Sequence, residues 1–399
     1  IEGGGHTIDA ARQGRVFDIR PGGEVSLREL TITGGRLSGD GADSGTAQEG
    51  GAALGAGVRN AGELTLQNVM LDSNVAAGGG GGGLGTDPSG VEVAGTIGGG
   101  GGGGSGFGGV GGGTTGAGAG DPAGEDGNNG GAGGSFSIYA AGGNGGSFTD
   151  VGGGGPLTGG GGGGGYGFSS FGGDGGRAVG GIFNESGGTL TLVGTSFTDN
   201  AAAGGGGGGG FVDSNRPGGD GGDAVGAIAN AGTLALDSGS QSAAGSGGLA
   251  AAGAKGEGNA SVGADPAVDG TAVAGIDGPV SKIGGAITDI TSPASGTLAA
   301  GDTLDITVAF SESVDLTGGS LDLKLSTDDV LTISSFTGQS TVTETFTVPT
   351  GTLATDLTVT QLTLTGSLTN GAGDPVLTGL PTGANLGDTA DIDLDGVAP

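Results

Sequence analysis

The chain has no cysteine, no tryptophan, one histidine, one methionine and only 11 lysines and arginines in 399 residues. Without cysteine there are no disulfides, no thiolate metal sites and no thiol nucleophile. One histidine, His6, would have to serve any His-dependent triad alone. Bases are outnumbered by 42 Asp and Glu, giving a formal charge of −31. So acidic a surface repels phosphate backbones and anionic lipids, so no nucleic-acid partner is expected and divalent cations are the natural counter-ions. No apolar stretch reaches transmembrane length, so membrane insertion of this chain is not expected. The opening Ile1-Glu2-Gly3 lacks an initiator methionine, a basic n-region and an apolar h-region, and reads as a mature form or a fragment.

What the chain has in excess is glycine, 111 residues, and self-similarity. Gly57-Val58-Arg59-Asn60-Ala61-Gly62-Glu63-Leu64-Thr65-Leu66 recurs as Gly181-Ile182-Phe183-Asn184 followed by Gly188-Thr189-Leu190-Thr191-Leu192. It returns as Ala227-Ile228-Ala229-Asn230-Ala231-Gly232-Thr233-Leu234-Ala235-Leu236. Leucine alternating with threonine has the period of a strand that buries one face, and Asn before Gly is turn chemistry. Short strands repeated this way, without helical periodicity, suit a solenoid that stacks leucines coil upon coil. The segments around His6–Asp9, Val16–Ile19 and Val25–Ile32 alternate likewise, and the first coil is expected to be uncapped. The fold class expected is all-β: a parallel β-helix over 1–282 and a second β unit over 283–399.

Between the copies lie glycine inserts at about 75–176, 201–222 and 237–279, with isolated Phe107, Phe136, Tyr139, Phe148, Tyr166, Phe168 and Phe171. Collagen is excluded because glycine is not at every third position and prolines are few. Two readings stand: flexible loops, which the entropy of glycine favours, or a layer of extended polyglycine II-like helices packed closely for want of side chains. The second is preferred, with the aromatics as apolar pins.

The motifs Gly180-Gly181-Ile182-Phe183-Asn184 and Phe197-Thr198-Asp199-Asn200 resemble the GGA-I and F-x-x-N motifs of bacterial polymorphic outer-membrane proteins and related autotransporter-like adhesins. Leu71-Asp72-Ser73-Asn74 departs from that pattern in having leucine for phenylalanine, and the third copy lacks F-x-x-N. The resemblance covers roughly the first 240 residues without the inserts, and implies a right-handed β-helix on a cell surface, with adhesion as its role.

From Ile283 the composition shifts to Thr, Ser, Asp and Leu, with seven candidate strands between Ala286 and Leu394, the pattern of an antiparallel sandwich. Ile290-Thr291-Ser292-Pro293, Ala300-Gly301-Asp302-Thr303-Leu304 and Asn370-Gly371-Ala372-Gly373-Asp374 are similar to bacterial Ig-like modules of large tandem adhesins. In such arrays the closing Val397-Ala398-Pro399 opens a further module, so the natural protein is expected to continue.

Candidate chemistry is sparse. Inverting glycoside hydrolysis needs two carboxylates roughly 6.5–9.5 Å apart, and Asp9 with Asp18, or Asp72 with Asp199, could supply them. Aromatic platforms are scarce in these strands and no basic cluster accompanies the carboxylates, so no catalytic or cofactor-binding residue is expected. Gly218-Gly219-Asp220-Gly221-Gly222-Asp223-Ala224-Val225-Gly226 fits the nonapeptide of calcium-binding β-rolls, though as a lone copy. Asp391, Asp393 and Asp395 fall on one face of a strand or loop, as a hard cation requires, and are the candidate calcium ligands.

Together these features predict a non-catalytic, extracellular structural or adhesive protein of a bacterial surface or biofilm matrix. It is expected to self-associate head to tail into a filament, and to meet a surface glycan or host receptor. The alternatives are a carbohydrate-binding or carbohydrate-cleaving protein, and an ice- or surface-binding one.

Overall fold

A computed structural model of the chain describes residues 1–42, 48–82, 147–148, 157–158, 160, 172–209, 218–256 and 267–397. The chain is mostly β, and the alternating leucines and threonines do form strands. β1 (Glu2–Asp9), β2 (Phe17–Ile19), β3 (Glu24–Thr33) and β4 (Arg36–Ser38) make the first coil. β5 (Ala53–Leu54), β6 (Val58–Asn60), β7 (Glu63–Gln67), β8 (Met70–Asp72) and β9 (Val75–Ala77) make the second. A short antiparallel pair, β10 (Ser147–Phe148) and β11 (Leu157–Thr158), precedes the third. That coil is β12 (Ala178–Val179), β13 (Ile182–Asn184), β14 (Thr189–Val193), β15 (Ser196–Thr198) and β16 (Asn200–Ala203). β17 (Ala224–Val225), β18 (Ile228–Asn230), β19 (Thr233–Leu236), α1 (Ser238–Ser246) and β20 (Gly248–Ala251) form the fourth, and β21 (Ala272–Val273), β22 (Ile276–Asp277) and β23 (Ser281–Lys282) end the stack.

Equivalent strands of successive coils pair in parallel, building four parallel sheets. The register is set by the repeat: Leu64, Leu190 and Leu234 lie side by side, as do Leu66, Leu192 and Leu236. These leucines are buried between the sheets, each contributing about 1.5–3 kcal/mol. The repeat asparagines bond along the stack. Asn60 Nδ2 donates to Asn184 Oδ1 at 2.8 Å, and Asn184 Nδ2 to Asn230 Oδ1 at 2.7 Å. A second such pair joins Asn74 to Asn200 at 3.0 Å. Each amide satisfies the next, which is what lets them be buried.

One expectation changes here. The stretch 237–279 is not a glycine insert throughout, because Asp237 caps α1 by accepting from Ser240 N at 2.7 Å. α1 takes the place that β8 and β15 hold in earlier coils, with Ala244 in the core cluster of Phe197. At the first-coil end of the stack β1, β2, β4 and β5 are the last strands of their sheets among the described residues. β1 pairs with β3, and the chain then follows the edge, with Arg36 N donating to Gly14 O. Arg15 holds the end of β5 by donating to Leu54 O and Gly55 O, both at 2.9 Å.

Between sheets the chain leaves each coil on a glycine limb and returns on another. Their amides form a zigzag from coil to coil, Gly79 N to Gly51 O, Gly176 N to Gly79 O, Gly205 N to Gly176 O, Gly222 N to Gly205 O and Gly253 N to Gly222 O. Three residues further out a second zigzag runs Gly82 N to Gln48 O, Gly173 N to Gly82 O, Gly208 N to Gly173 O and Gly219 N to Gly208 O. The limbs approach so closely that a Cβ on Gly205 would lie 1.9 Å from Gly79 O. Glycine is therefore required for room. Side chains enter where a limb meets solvent, as at Asp174, or at the end of the stack, as at Ala254 and Val268. Phe107, Phe136, Tyr139, Tyr166, Phe168 and Phe171 lie outside the described residues.

Pairing switches partners after Lys282. The following strands are β24 (Ile287–Thr291), β25 (Gly296–Ala299), β26 (Thr303–Thr317), β27 (Leu321–Leu325), β28 (Val330–Ile333) and β29 (Phe336–Thr347). Then come β30 (Leu353–Ala354), β31 (Val359–Leu364), β32 (Ser367–Asn370), α2 (Leu386–Thr389) and β33 (Ile392–Asp395). Antiparallel pairs dominate, with β25 and β33 the parallel exception, around one apolar core that includes Ile306, Leu323 and Ile392. This C-terminal β-region lies back along the stack. Ile283 N donates to Leu236 O near the stack's end, while Arg28 of the first coil reaches Asp289 Oδ1 at 3.4 Å and Thr382 O at 3.2 Å. Residues 283–289 span about 20 Å when extended, close to the roughly 19 Å of four strand spacings.

Candidate functional site

The strand triplets 31–33, 70–72 and 196–198 lie side by side with Ile32, Leu71 and Phe197 turned inward. Their outward neighbours form two columns across the strands: Thr7, Thr31, Met70 and Ser196, then Asp9, Thr33, Asp72 and Thr198. Left-handed residues bend the chain on both sides of the triplets. Glu29 (φ 49°), Asn68 (φ 52°) and Gly194 (φ 57°) precede them, and Gly34 (φ 69°), Ser73 (φ 54°) and Asp199 (φ 49°) follow. Asn and Asp tolerate this region better than most residues, and glycine adopts it freely.

Each bend leaves a shallow trough running along the stack. One, of about 390 Å³, is lined by Glu29, Thr31, Asn68, Met70 and Ser196 among others. The other, of about 350 Å³, is lined by Asp9, Ala11, Arg12, Thr33, Gly34, Asp72 and Ser73. Both offer hydroxyls and carboxylates repeated at the strand spacing of about 4.8 Å. Met70, 39% exposed, adds an apolar surface. Such a strip suits an extended polar polymer lying across the strands.

The carboxylates considered from sequence are distributed differently. Asp9 and Asp72 share a trough, whereas Asp18 joins an ion-pair chain in which Arg59 bridges it and Glu185. Asp199 sits at a bend. His6 is exposed on β1. In the β-roll-like nonapeptide, Asp220 Oδ1 accepts from Val268 N at 2.8 Å and Asp223 Oδ1 from Thr271 N at 2.7 Å. Their carboxylates thus hold the backbone of the next limb. Asp391 and Asp395 are exposed and Asp393 half-buried, Asp393 Oδ1 accepting from Asp356 N at 3.1 Å and Asp395 Oδ1 from Val397 N at 3.3 Å. Among the described residues, no group of three or more His, Asp or Glu is arranged to hold a metal ion.

The troughs escaped sequence reasoning because their columns join residues far apart in the chain, such as Thr31, Met70 and Ser196. The available signal was the polar residue on either side of each inward Ile, Leu or Phe. No family model, curated protein or solved structure matches the chain. Among the described residues no helix is long and apolar enough to cross a membrane.

Proposed function

We propose that the chain is a non-catalytic, extracellular adhesive scaffold of a bacterial surface or matrix, built as a right-handed parallel β-helix with polyglycine II-like limbs and an Ig-like β-sandwich. The observation that carries this reading is the pair of outward columns, Thr7-Thr31-Met70-Ser196 and Asp9-Thr33-Asp72-Thr198, held in register by the ladders beneath them. A rigid strip of repeated hydroxyls and carboxylates presents many weak contacts to one extended glycan, and such contacts gain strength by acting together. Glu29 and Asp72 favour neutral or amino sugars over polyanions. A glycan array probed with the full chain tests it: binding to neutral or amino-sugar polymers is expected, and to be lost in Met70→Glu. Signals at background across those glycans would remove the adhesive reading.

The Asp9 and Asp72 carboxylates in one trough, with Arg12, support a second reading as a glycan-cleaving protein. Release of reducing sugar from a bound polymer, abolished by Asp72→Asn, would establish it.

A further inference from the structure

The two outward columns run along the stack over β1, β3, β8 and β15, and their ends are unlike. In the next coil the place of a strand beside β15 is taken by α1. The helix is tied down before, along and after that strand. Asp237 Oδ2 accepts from Gly194 N at 2.8 Å and Ser240 Oγ from Thr195 N at 2.9 Å. A Cβ on Gly247 would lie 2.1 Å from Phe197 O, and Gly248 already pairs with Asn200. α1 therefore lies across the end of both columns, next to Ser196 and Thr198.

Ser240 and Ala244 bury the inner side of α1, while Ser238, Gly239, Ser242, Gly245 and Ser246 are exposed. A helix with its side chains is about 10–12 Å across, more than two strand spacings of about 4.8 Å, so its outer half stands above β15 as a wall. The other end has no such wall among the described residues. His6, Thr7 and Asp9 on β1 are exposed, and nothing lies within 4 Å of a Cβ added at Gly4 or Gly5. The trough lined by Gly5, Met70 and Ser196 thus runs from open solvent to the foot of α1.

The geometry points to a strip that holds the end of a linear neutral glycan: the terminal sugar stands against α1 beside Ser196 and Thr198, and the chain leaves over Thr7 and Asp9. This rests on the glycan reading above and adds which part of the polymer is held. An interior segment lying along the columns would have to pass through α1, whereas a chain end stops there. Charge selects a neutral chain, because Asp9, Glu29 and Asp72 line the troughs of a molecule of formal charge −31. Three strand spacings, about 14 Å, separate β15 from β1, so only the first few sugars are in contact. The two ends of a linear glycan differ chemically, so one copy of this chain is expected on each polymer molecule.

Binding of the full chain to glucomannan and to glycol chitin, each intact and cut to graded lengths at constant mass, tests it. The amount of protein bound per gram should rise in proportion to the number of chain ends. Ser196→Arg, which fills the closed end, should weaken binding of short fragments at least about tenfold with an unchanged thermal midpoint. Thr7→Arg, the same charge at the open end, should leave the shortest fragments bound as before. Binding that is indifferent to chain cutting, or equal losses in the two variants, would overturn the end-binding inference while leaving the glycan reading in place. Binding to neither polymer at any length would overturn both.

Discussion

The glycine limbs of the coil stack and the tight turns of the C-terminal β-region use glycine for opposite reasons. In the limbs, glycine is there for lack of space: a Cβ on Gly205 would meet Gly79 O at 1.9 Å and one on Gly253 would meet Gly205 O at 1.8 Å, though neither residue has positive φ. In the C-terminal β-region Gly301, Gly338 and Gly351 have φ of 87°, 66° and 89°, with nothing within 4 Å of an added Cβ. At these three positions glycine serves backbone conformation alone. The cores differ in the same sense. The stack buries asparagine ladders beside its leucines, whereas the C-terminal core cluster is aliphatic with Phe310 and Phe346. Repetition accounts for this: a buried amide is tolerated when the next coil supplies an identical partner.

The contrast is broken most forcefully by Gly205→Ala. It should destabilise the stack by about 3 kcal/mol or more, because backbone on both sides must move. Circular dichroism melts should show an earlier transition for the stack, with that of the C-terminal β-region in place. Asn184→Ala comes next. It leaves Asn60 Nδ2 short of an acceptor and Asn230 Oδ1 short of a donor, with an expected loss of about 2–3 kcal/mol in urea unfolding. Gly351→Ala should be milder, about 1 kcal/mol for the left-handed backbone, and confined to the second transition.

The smallest effect lies where the two regions meet. Burial pushes the Glu312 carboxyl above its ordinary value of 4.5; the Asn370 hydrogen bond opposes this, and Asp237 and Asp374 add to it. A raised folded value means that its contribution to stability is complete below the ordinary value and lost as pH rises through the raised one. Urea midpoints should therefore fall slightly between about pH 4 and neutrality through this group, and Glu312→Gln should flatten that component.

Most of the strand plan was legible because leucine at period two, as in Leu190-Thr191-Leu192, states both a strand and its buried face. The asparagine and the glycine after it marked each corner. What escaped depends on contacts between distant coils. Asp220 and Asp223 have the spacing of cation ligands, but the neighbouring limb brings two amides to them first. α1 has weak sequence signals, and its place is set by the Asp237 cap and the space beside Phe197. Of the candidate site, the alternating Thr, Met, Asp and Ser were visible singly, while their alignment into columns depends on register.

The two amide zigzags of the limbs stand three residues apart, at Gly79 and Gly82, Gly173 and Gly176, Gly205 and Gly208, Gly219 and Gly222. Between the two zigzags the phase is thus fixed: one or two residues added between Gly205 and Gly208, or between Gly219 and Gly222, would carry the outer amides past their partners, while three would bring them back into step. Along its paired arms the limb is a ruler with a fixed graduation.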